Sequence, residues 1–331
     1  MFRATLHFQD GAALTLPVAD GESVVEAALN AELPLRSDCM SGSCGSCIAR
    51  CTAGDVSRDA MDQPIVDADE IFAGIYPTCL TRLRSDAHFE LDYPLAPQPS
   101  PAGRQRGRLV RIDRLATTIS RLIIEVEDPD NFRFQPGQYL RLRPPGLKVA
   151  RAYSIASAPN ALPMIELLIR HVPGGQVSGW LDSDAATAGA KLTLQGPLGG
   201  FALDDRAERS VFIVGGTGLA PALSMIRASG GKRPMLLCFG CSRREDLFLE
   251  GELRHLAATT TGLEVRIALM EGASGSIASG TAVALLAPED IASASHHLCG
   301  PPAMVDAARA VLRAAGIAPG HIRAERFAIG G

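Results

Sequence analysis

Four prolines fall within eleven residues of this chain, in the run Tyr93-Pro94-Leu95-Ala96-Pro97-Gln98-Pro99-Ser100-Pro101-Ala102-Gly103. Proline lacks a backbone N–H and fixes φ, so this stretch can carry neither a helix nor a central strand. It reads as an extended linker over residues 94–103. With 331 residues in all, the chain exceeds what one ordinary core serves, so the break marks a domain boundary after residue 93. The two sides differ in charge. Residues 1–97 hold 6 basic and 15 acidic side chains, a net −9, whereas the remainder hold 26 and 21, a net +5. So acidic a front segment argues against a nucleic-acid partner. The longest apolar run, residues 211–226, is interrupted by Gly215, Gly216, Thr217 and Gly218, so no membrane span is expected. The first residues alternate like a strand and lack a signal-peptide core, which makes a cytoplasmic location the expectation.

Four of the eight cysteines lie between positions 39 and 51. Cys39, Cys44 and Cys47, with Cys79 further on, give C-x4-C-x2-C…C, the spacing of plant-type [2Fe–2S] sites. The intervening residues are mostly Gly and Ser, which let a loop wrap tightly and aim N–H groups at a negatively charged cluster. A four-cysteine zinc site is the competing reading, but structural zinc usually takes two paired knuckles, and Cys79 stands alone. Cys51 falls outside the pattern and reads as a buried thiol.

In the front block, residues 5–8 and 13–17 read as strands about the turn Asp10-Gly11, and residues 23–31 have helical spacing. After the linker come short strand-like runs at 107–112, 120–126, 139–143, 151–155, 165–171 and 191–195. Apart from a stretch at 176–181 there is little helical signal, which predicts an antiparallel β-barrel over 104–205. From residue 206 to 331 the pattern alternates: strands at 211–214, 235–239, 265–270 and 297–299, helices at 220–228, 246–255 and 303–315. That alternation predicts a doubly wound α/β domain with a parallel sheet.

Two constellations within these segments carry chemistry. In a strand, Arg151 and Tyr153 face the same way, roughly 6.5 Å apart, and can set a cation on a phosphate and a ring on a flavin. Gly174 and Gly175 precede Gln176, Val177 and Ser178, where free N–H groups at a helix start suit a pyrophosphate. The strand 211–214 runs into Gly215-Gly216-Thr217-Gly218 and then a helix, the layout of a dinucleotide phosphate site, although the G-x-G-x-x-G fingerprint is absent.

The front block resembles plant-type ferredoxins, which implies a β-grasp fold with Cys39, Cys44, Cys47 and Cys79 as cluster ligands. Residues 104–331 resemble the ferredoxin-NADP reductase superfamily, whose flavin motif R-x-Y-S matches Arg151-Ala152-Tyr153-Ser154 and whose G-x-x-S matches Gly175 through Ser178. The resemblance implies FAD, with Arg151 on its pyrophosphate, Tyr153 on the isoalloxazine and Ser154 near N5. Strand geometry alone turns Ser154 to the opposite face. It also implies that the backbone of Leu168, Ile169 and Arg170 runs along the cofactor, and that Gly175, Gln176, Val177 and Ser178 meet the pyrophosphate. Cys299-Gly300-Pro301-Pro302 matches the run that borders the nicotinamide, and Glu325 and Phe327 match the acid and aromatic residue close to both rings. Arg243 and Arg244 could pair with a 2′-phosphate, but the superfamily's usual recognition place reads Met270-Glu271-Gly272, and Glu271 would repel a phosphate and accept a ribose hydroxyl. NADH is therefore expected over NADPH.

The order ferredoxin, FAD, NAD is similar to the reductase components of bacterial ring-hydroxylating dioxygenases of benzoate, anthranilate or terephthalate type. That resemblance implies an oxygenase component as acceptor. The acidity of the front block adds the expectation of a basic docking patch on it. Reductases of di-iron monooxygenases and of deoxysugar dehydratases remain alternatives, as does a zinc module fused to a flavin oxidase.

Overall fold

The computed structural model describes the whole chain except residues 32, 34, 38–41, 43–46, 60–65, 67, 94, 96–102, 149, 205–206 and 328–331. It contains two compact units, residues 1–101 and 102–331. Most of the expected 94–103 linker, and the expected ligands Cys39 and Cys44, lie outside the described residues.

The front unit comprises β1 (Phe2–His7), β2 (Ala13–Val18), α1 (Val24–Asn30), β3 (Ile48–Ala53), β4 (Val56–Arg58), α2 (Ala68–Phe72), β5 (Ile75–Pro77), β6 (Thr81–Leu83) and β7 (Ala87–Glu90). Its main sheet runs β2-β1-β7-β3-β5, with β1 and β7 parallel and the other pairs antiparallel. Helix α1 buries Val24, Ala27 and Ala28 against Ala4, Leu6, Leu16 and Phe89 of the sheet. This is the mixed sheet and helix of the expected β-grasp fold. The helix starts at Val24 rather than at Ser23 because Ser23 is its cap. Ser23 Oγ accepts the Glu26 N–H (3.2 Å), and the Ser23 N–H donates to the Glu26 carboxylate (2.8 Å).

The rear unit holds two sheets. The first uses β8 (Arg104–Ala116), β9 (Ile119–Val126), β10 (Tyr139–Arg143), β11 (Arg151–Ser154), β12 (Met164–Arg170) and β13 (Lys191–Leu198), with α3 (Gln176–Leu181) between the last two. Every pair is antiparallel in the order β11-β10-β13-β8-β9-β12. The two edges meet through the bridge Ile155–Leu167, the Ala156 N–H bond to the Glu166 carbonyl (2.8 Å) and the Glu166 N–H bond to Ser157 Oγ (3.1 Å). The expected barrel thus comes together at a single point, because the chain leaves β11 for a 3₁₀ turn that begins at Pro159.

The second sheet is built from β14 (Arg209–Gly215), α4 (Leu219–Ser229), β15 (Met235–Cys241), α5 (Glu250–Thr259), β16 (Leu263–Leu269), β17 (Ala278–Ser279), α6 (Pro288–Ile291), β18 (Ala294–Gly300), α7 (Pro302–Ala314) and β19 (Ile322–Arg326). Its strands are parallel in the order β17-β16-β15-β14-β18-β19. Strand β14 alternates between two cores: Phe212 and Val214 join α4 and α5 on one face, Val211 and Ile213 join α7 on the other. This is the doubly wound domain read from the alternation. Because β14 is flanked by β15 and β18, the strand order reverses there, which opens a crevice at the carboxyl ends of β14 and β18.

One expectation is corrected. The helix placed at 246–255 begins at Glu250, because Leu249 adopts φ 57° while Phe248 and Leu249 are buried in the core. Their burial fixes a left-handed residue that a helix cannot include. The two sheets of the rear unit share a core, since Ile119, Ala156, Leu168 and Phe201 of the first belong to the cluster containing Phe212 and Leu219 of the second.

Candidate functional site

Cys47 ends the loop before β3, and Cys79 lies two residues beyond β5. Both are buried and pack in one small cluster with Val25. Thr78 ties their segments together: its N–H (2.9 Å) and its hydroxyl (2.7 Å) both donate to the Cys47 carbonyl. Two cysteines from distant positions, gathered together, fit a shared metal group. Cys51 takes no part in that pair. It sits half-buried on β3, its sulfur 3.4 Å from the Ala53 carbonyl, and burial pushes its thiol pKa up. In the same unit Phe72, at the end of α2, is 96% exposed.

On β11, Arg151 and Tyr153 are half-buried and Ser154 is buried, as alternation requires. The Arg151 guanidinium donates to the Ala150 carbonyl (3.4 Å) and makes no ion pair among the described residues. A half-buried cation without a carboxylate is suited to an anionic ligand. Burial pushes the Tyr153 hydroxyl up to about 12, so its ring is held neutral. Leu168 and Ile169 point to opposite cores, and Arg170 is exposed. Helix α3 starts at Gly175 without a side-chain cap, which leaves its first N–H groups open. Ser178 Oγ accepts the Val172 N–H (2.8 Å), fixing the loop before it. Gly174, Gly175, Gln176 and Ser178, with Arg114 and His171 opposite, line an open depression of about 560 Å³.

The crevice of the second sheet is made by backbone. Gly216, Thr217 and Gly218 form a 3₁₀ turn after β14, and α4 starts without a side-chain cap. A β-carbon on Gly218 would lie 2.1 Å from the Cys299 carbonyl oxygen. A β-carbon on Gly300, at φ 151°, would lie 3.0 Å from the Gly215 nitrogen. Uncapped helix N–H groups beside a turn stripped of side chains fit a dinucleotide phosphate. Behind the turn, Cys299 is buried on β18 opposite Glu325 on β19, and its thiol points at the Glu325 carboxylate (3.9 Å). Burial, and then that carboxylate, raise the thiol well above its ordinary pKa, so it stays protonated. The Phe327 N–H donates to the Gly300 carbonyl (2.9 Å), and Pro301 is exposed at the mouth.

Arg243 and Glu271, the two rival determinants of nucleotide choice, are neighbours: the guanidinium lies 3.4 Å from the exposed carboxylate. Arg244 pairs with Glu250 (3.1 Å). Sequence reasoning missed two features. His297 stacks on Phe212 with Phe201 at its edge (ring centroids 5.1 and 5.8 Å), and burial pushes its pKa down to about 3. Arg227 and Glu166 form an ion pair between the two sheets (2.8 Å). In each case of this pair the available signal was one charge inside an otherwise apolar element.

The comparisons agree with this layout. Residues 7–84 match the 2Fe-2S iron-sulfur cluster binding domain, 106–203 the oxidoreductase FAD-binding domain and 212–310 the oxidoreductase NAD-binding domain. This order defines an NAD(P)H-dependent flavin iron–sulfur oxidoreductase with a [2Fe–2S] cluster and FAD. The chain is 34% identical to the ferredoxin–NAD(P)+ reductase component of the naphthalene 1,2-dioxygenase/salicylate 5-hydroxylase systems of Ralstonia sp, covering 95% of this chain and 96% of the relative. It is 36% identical to methane monooxygenase component C of Methylosinus trichosporium, over 78% of each. Among solved structures it is similar to an Amycolatopsis cytochrome P450 reductase, with a TM-score of 0.72, 26% identity and full coverage of both chains. The chain belongs to the family of reductase, or electron-transfer, components of bacterial oxygenases, ring-hydroxylating dioxygenase systems among them.

Proposed function

We propose that this reductase carries electrons from NADH to the oxygenase component of an aromatic-ring-hydroxylating dioxygenase in the cytoplasm. The observation that carries the reading is the 34% identity, along nearly the whole of both chains, to a naphthalene 1,2-dioxygenase reductase component. Residues 1–93 would hold the cluster through Cys39, Cys44, Cys47 and Cys79, residues 104–205 the FAD, and residues 206–331 the NADH, with 94–103 as linker. When bound, FAD accepts two electrons as a hydride and yields them singly to the cluster.

The protein's own groups have separate tasks. Arg151 and the N–H groups from Gly175 to Ser178 neutralise the pyrophosphate. Tyr153 covers the flavin face, and Ser154 lies beside N5. The backbone of Leu168, Ile169 and Arg170 runs along the flavin. Gly216, Thr217 and Gly218 receive the dinucleotide phosphates. Cys299, Gly300 and Pro301 border the nicotinamide. With the nicotinamide bound, the Glu325 carboxylate would offer negative charge to the ring as it becomes cationic, while neutral Cys299 would add no competing charge. Phe327 closes the mouth. Glu271 offsets the charge of Arg243, and Glu250 that of Arg244, which disfavours a 2′-phosphate and supports NADH. The acidic front unit, with Phe72 exposed on it, would dock on a basic patch of the oxygenase that surrounds an apolar recess.

A di-iron monooxygenase as partner is the second reading, favoured by the 36% identity to methane monooxygenase component C. The test mixes the purified chain with a ring-hydroxylating oxygenase or a di-iron hydroxylase and measures product formed per NADH. Coupled turnover with the dioxygenase is expected. Turnover with the di-iron enzyme alone would reverse the assignment.

A further inference from the structure

Arg227 lies near the end of α4, the helix that begins at the Gly216–Gly218 turn. Its Nη1 donates both to the Ala156 carbonyl (3.0 Å) and to the Glu166 carboxylate (2.8 Å). Ala156 is two residues beyond Ser154, and Glu166 is a buried acid in the strand β12. One turn earlier on α4, the Ser224 hydroxyl donates to the Ser157 carbonyl (2.7 Å). The receiving segment is itself fixed, since the Ala156 N–H donates to the Glu166 carbonyl (2.8 Å) and the Glu166 N–H to Ser157 Oγ (3.1 Å). A second arginine completes the set. Arg121 on β9 donates to Glu252 on α5 (2.7 Å), lies 4.0 Å from Glu166 and is anchored by Asp113 (3.0 Å). The nearby Glu252 is 3.9 Å from Arg227.

We propose that Arg227 is a positioning residue for hydride transfer: it holds the dinucleotide turn at a fixed distance from the flavin strand. The proposal rests on the reading above that NADH reduces the bound FAD. The path between the two sites is short and stiff. From Gly218 to Arg227 the helix rises about 13 Å, and from Ala156 back to Ser154 is about 6.5 Å of strand. Two side chains of α4 join the two, the Ser224 hydroxyl on the Ser157 carbonyl and the Arg227 guanidinium, and only the guanidinium carries charge. A guanidinium that satisfies a carbonyl and a carboxylate together constrains direction as well as distance, which an ammonium does not. Its loss also leaves the buried Glu166 carboxylate with only the more distant Arg121, at 4.0 Å, as counter-charge, so the interface relaxes rather than staying put. Among the described residues the polar partners of Arg227 are Ala156, Glu166 and Glu252, none of them a binding group, so its removal leaves the binding groups in place and alters their relation.

The test uses the intact holoprotein and anaerobic stopped-flow reduction by NADH, comparing wild type with Arg227→Ala, Arg227→Lys and Glu166→Gln. A displacement of about 1 Å between reacting groups can cost about a hundredfold in rate. The expected result for Arg227→Ala is a limiting flavin-reduction rate lowered by about 10- to 100-fold, with smaller losses for the other two. NADH dissociation constants should stay within about threefold. FAD and iron contents should match wild type, and the long-wavelength absorbance of the stacked flavin–nicotinamide pair should weaken. If Arg227→Ala loses FAD or fails to fold, Arg227→Lys and Glu166→Gln decide. Unchanged limiting rates and absorbance in the folded variants, with only a lowered melting temperature, would overturn the proposal and leave Arg227 a brace. A wild type whose flavin NADH does not reduce would overturn the underlying reading as well.

Discussion

In the front unit the two described cysteines proposed as cluster ligands are side chains on irregular backbone: Cys47 just before β3 and Cys79 just after β5, held together by Thr78. In the rear unit the dinucleotide crevice presents almost no side chain, only the backbone of Gly216, Thr217 and Gly218 against that of Cys299 and Gly300. The first kind of site stands on a few sulfur atoms and tolerates loops around them. The second stands on strand and helix ends and tolerates no added atom. Their failures should therefore differ in kind: one by deleting a donor, the other by adding a methyl group.

Cys79→Ser should have the largest effect, removing most of the iron and the visible and EPR signals of the cluster. FAD content and NADH reduction of a two-electron dye should survive, because the FAD-binding and NAD-binding domains match residues 106–203 and 212–310. Full iron with an unchanged spectrum would remove Cys79 from the ligand set. Gly218→Ala is the opposite experiment. Its β-carbon would meet the Cys299 carbonyl at 2.1 Å, backbone against backbone, where no rotamer can yield. Overpacking of this sort costs about 1–3 kcal/mol, so kcat/KM for NADH should fall by about 10- to 100-fold. Iron and FAD should be retained. Wild-type kinetics would mean that the turn is more pliable than a backbone-built site allows.

The same contrast explains what the sequence made legible. Strands and helices of the rear unit were readable because β14, β15 and β16 are short apolar runs and the helices between them keep a 3.6-residue period. Gly215 to Gly218 was readable because a strand, glycines and a helix in succession admit few other uses. The β-grasp unit was readable from the cysteine spacing, more than from its strands, of which β5 and β6 have three residues each. What stayed hidden depends on contacts distant in sequence. Nothing local announces that Leu249 will turn left-handed so that Phe248 can be buried. Nothing in Arg209–Gly215 or Ala294–Gly300 announces that His297 will lie against two phenylalanines, Phe212 and Phe201. Arg227 and Glu166, 61 residues apart, each look like a stray charge until the two sheets share a core.

A smaller effect is expected at the rim of the crevice, where a side chain does decide. Glu271 is exposed and paired with Arg243, so its influence is screened and partly offset. Wild type should have the higher kcat/KM with NADH. Glu271→Ser would free Arg243 for a 2′-phosphate and narrow the NADH-to-NADPH ratio, by about tenfold for a gain of about 1.4 kcal/mol. A wild-type preference for NADPH would instead assign the phosphate to Arg243 and Arg244.

The smallest effect separates the two units by charge. Residues 1–97 carry a net −9 and the rest a net +5, so an encounter through the front unit should be steered, and the internal step should not. Electron-transfer complexes are small and brief, and their association rates lean on long-range fields. Raising ionic strength from about 0.02 to 0.5 M shortens the Debye length from about 20 to about 4 Å. Reduction of the oxygenase at sub-saturating concentration should then slow several-fold, whereas NADH reduction of the internal FAD needs no protein encounter and should change much less. Stopped-flow traces of the two processes across one salt series compare them directly. A flat or rising rate for the oxygenase would mean that the acidity serves solubility alone and that apolar contact, with Phe72 the first residue to replace, carries the docking.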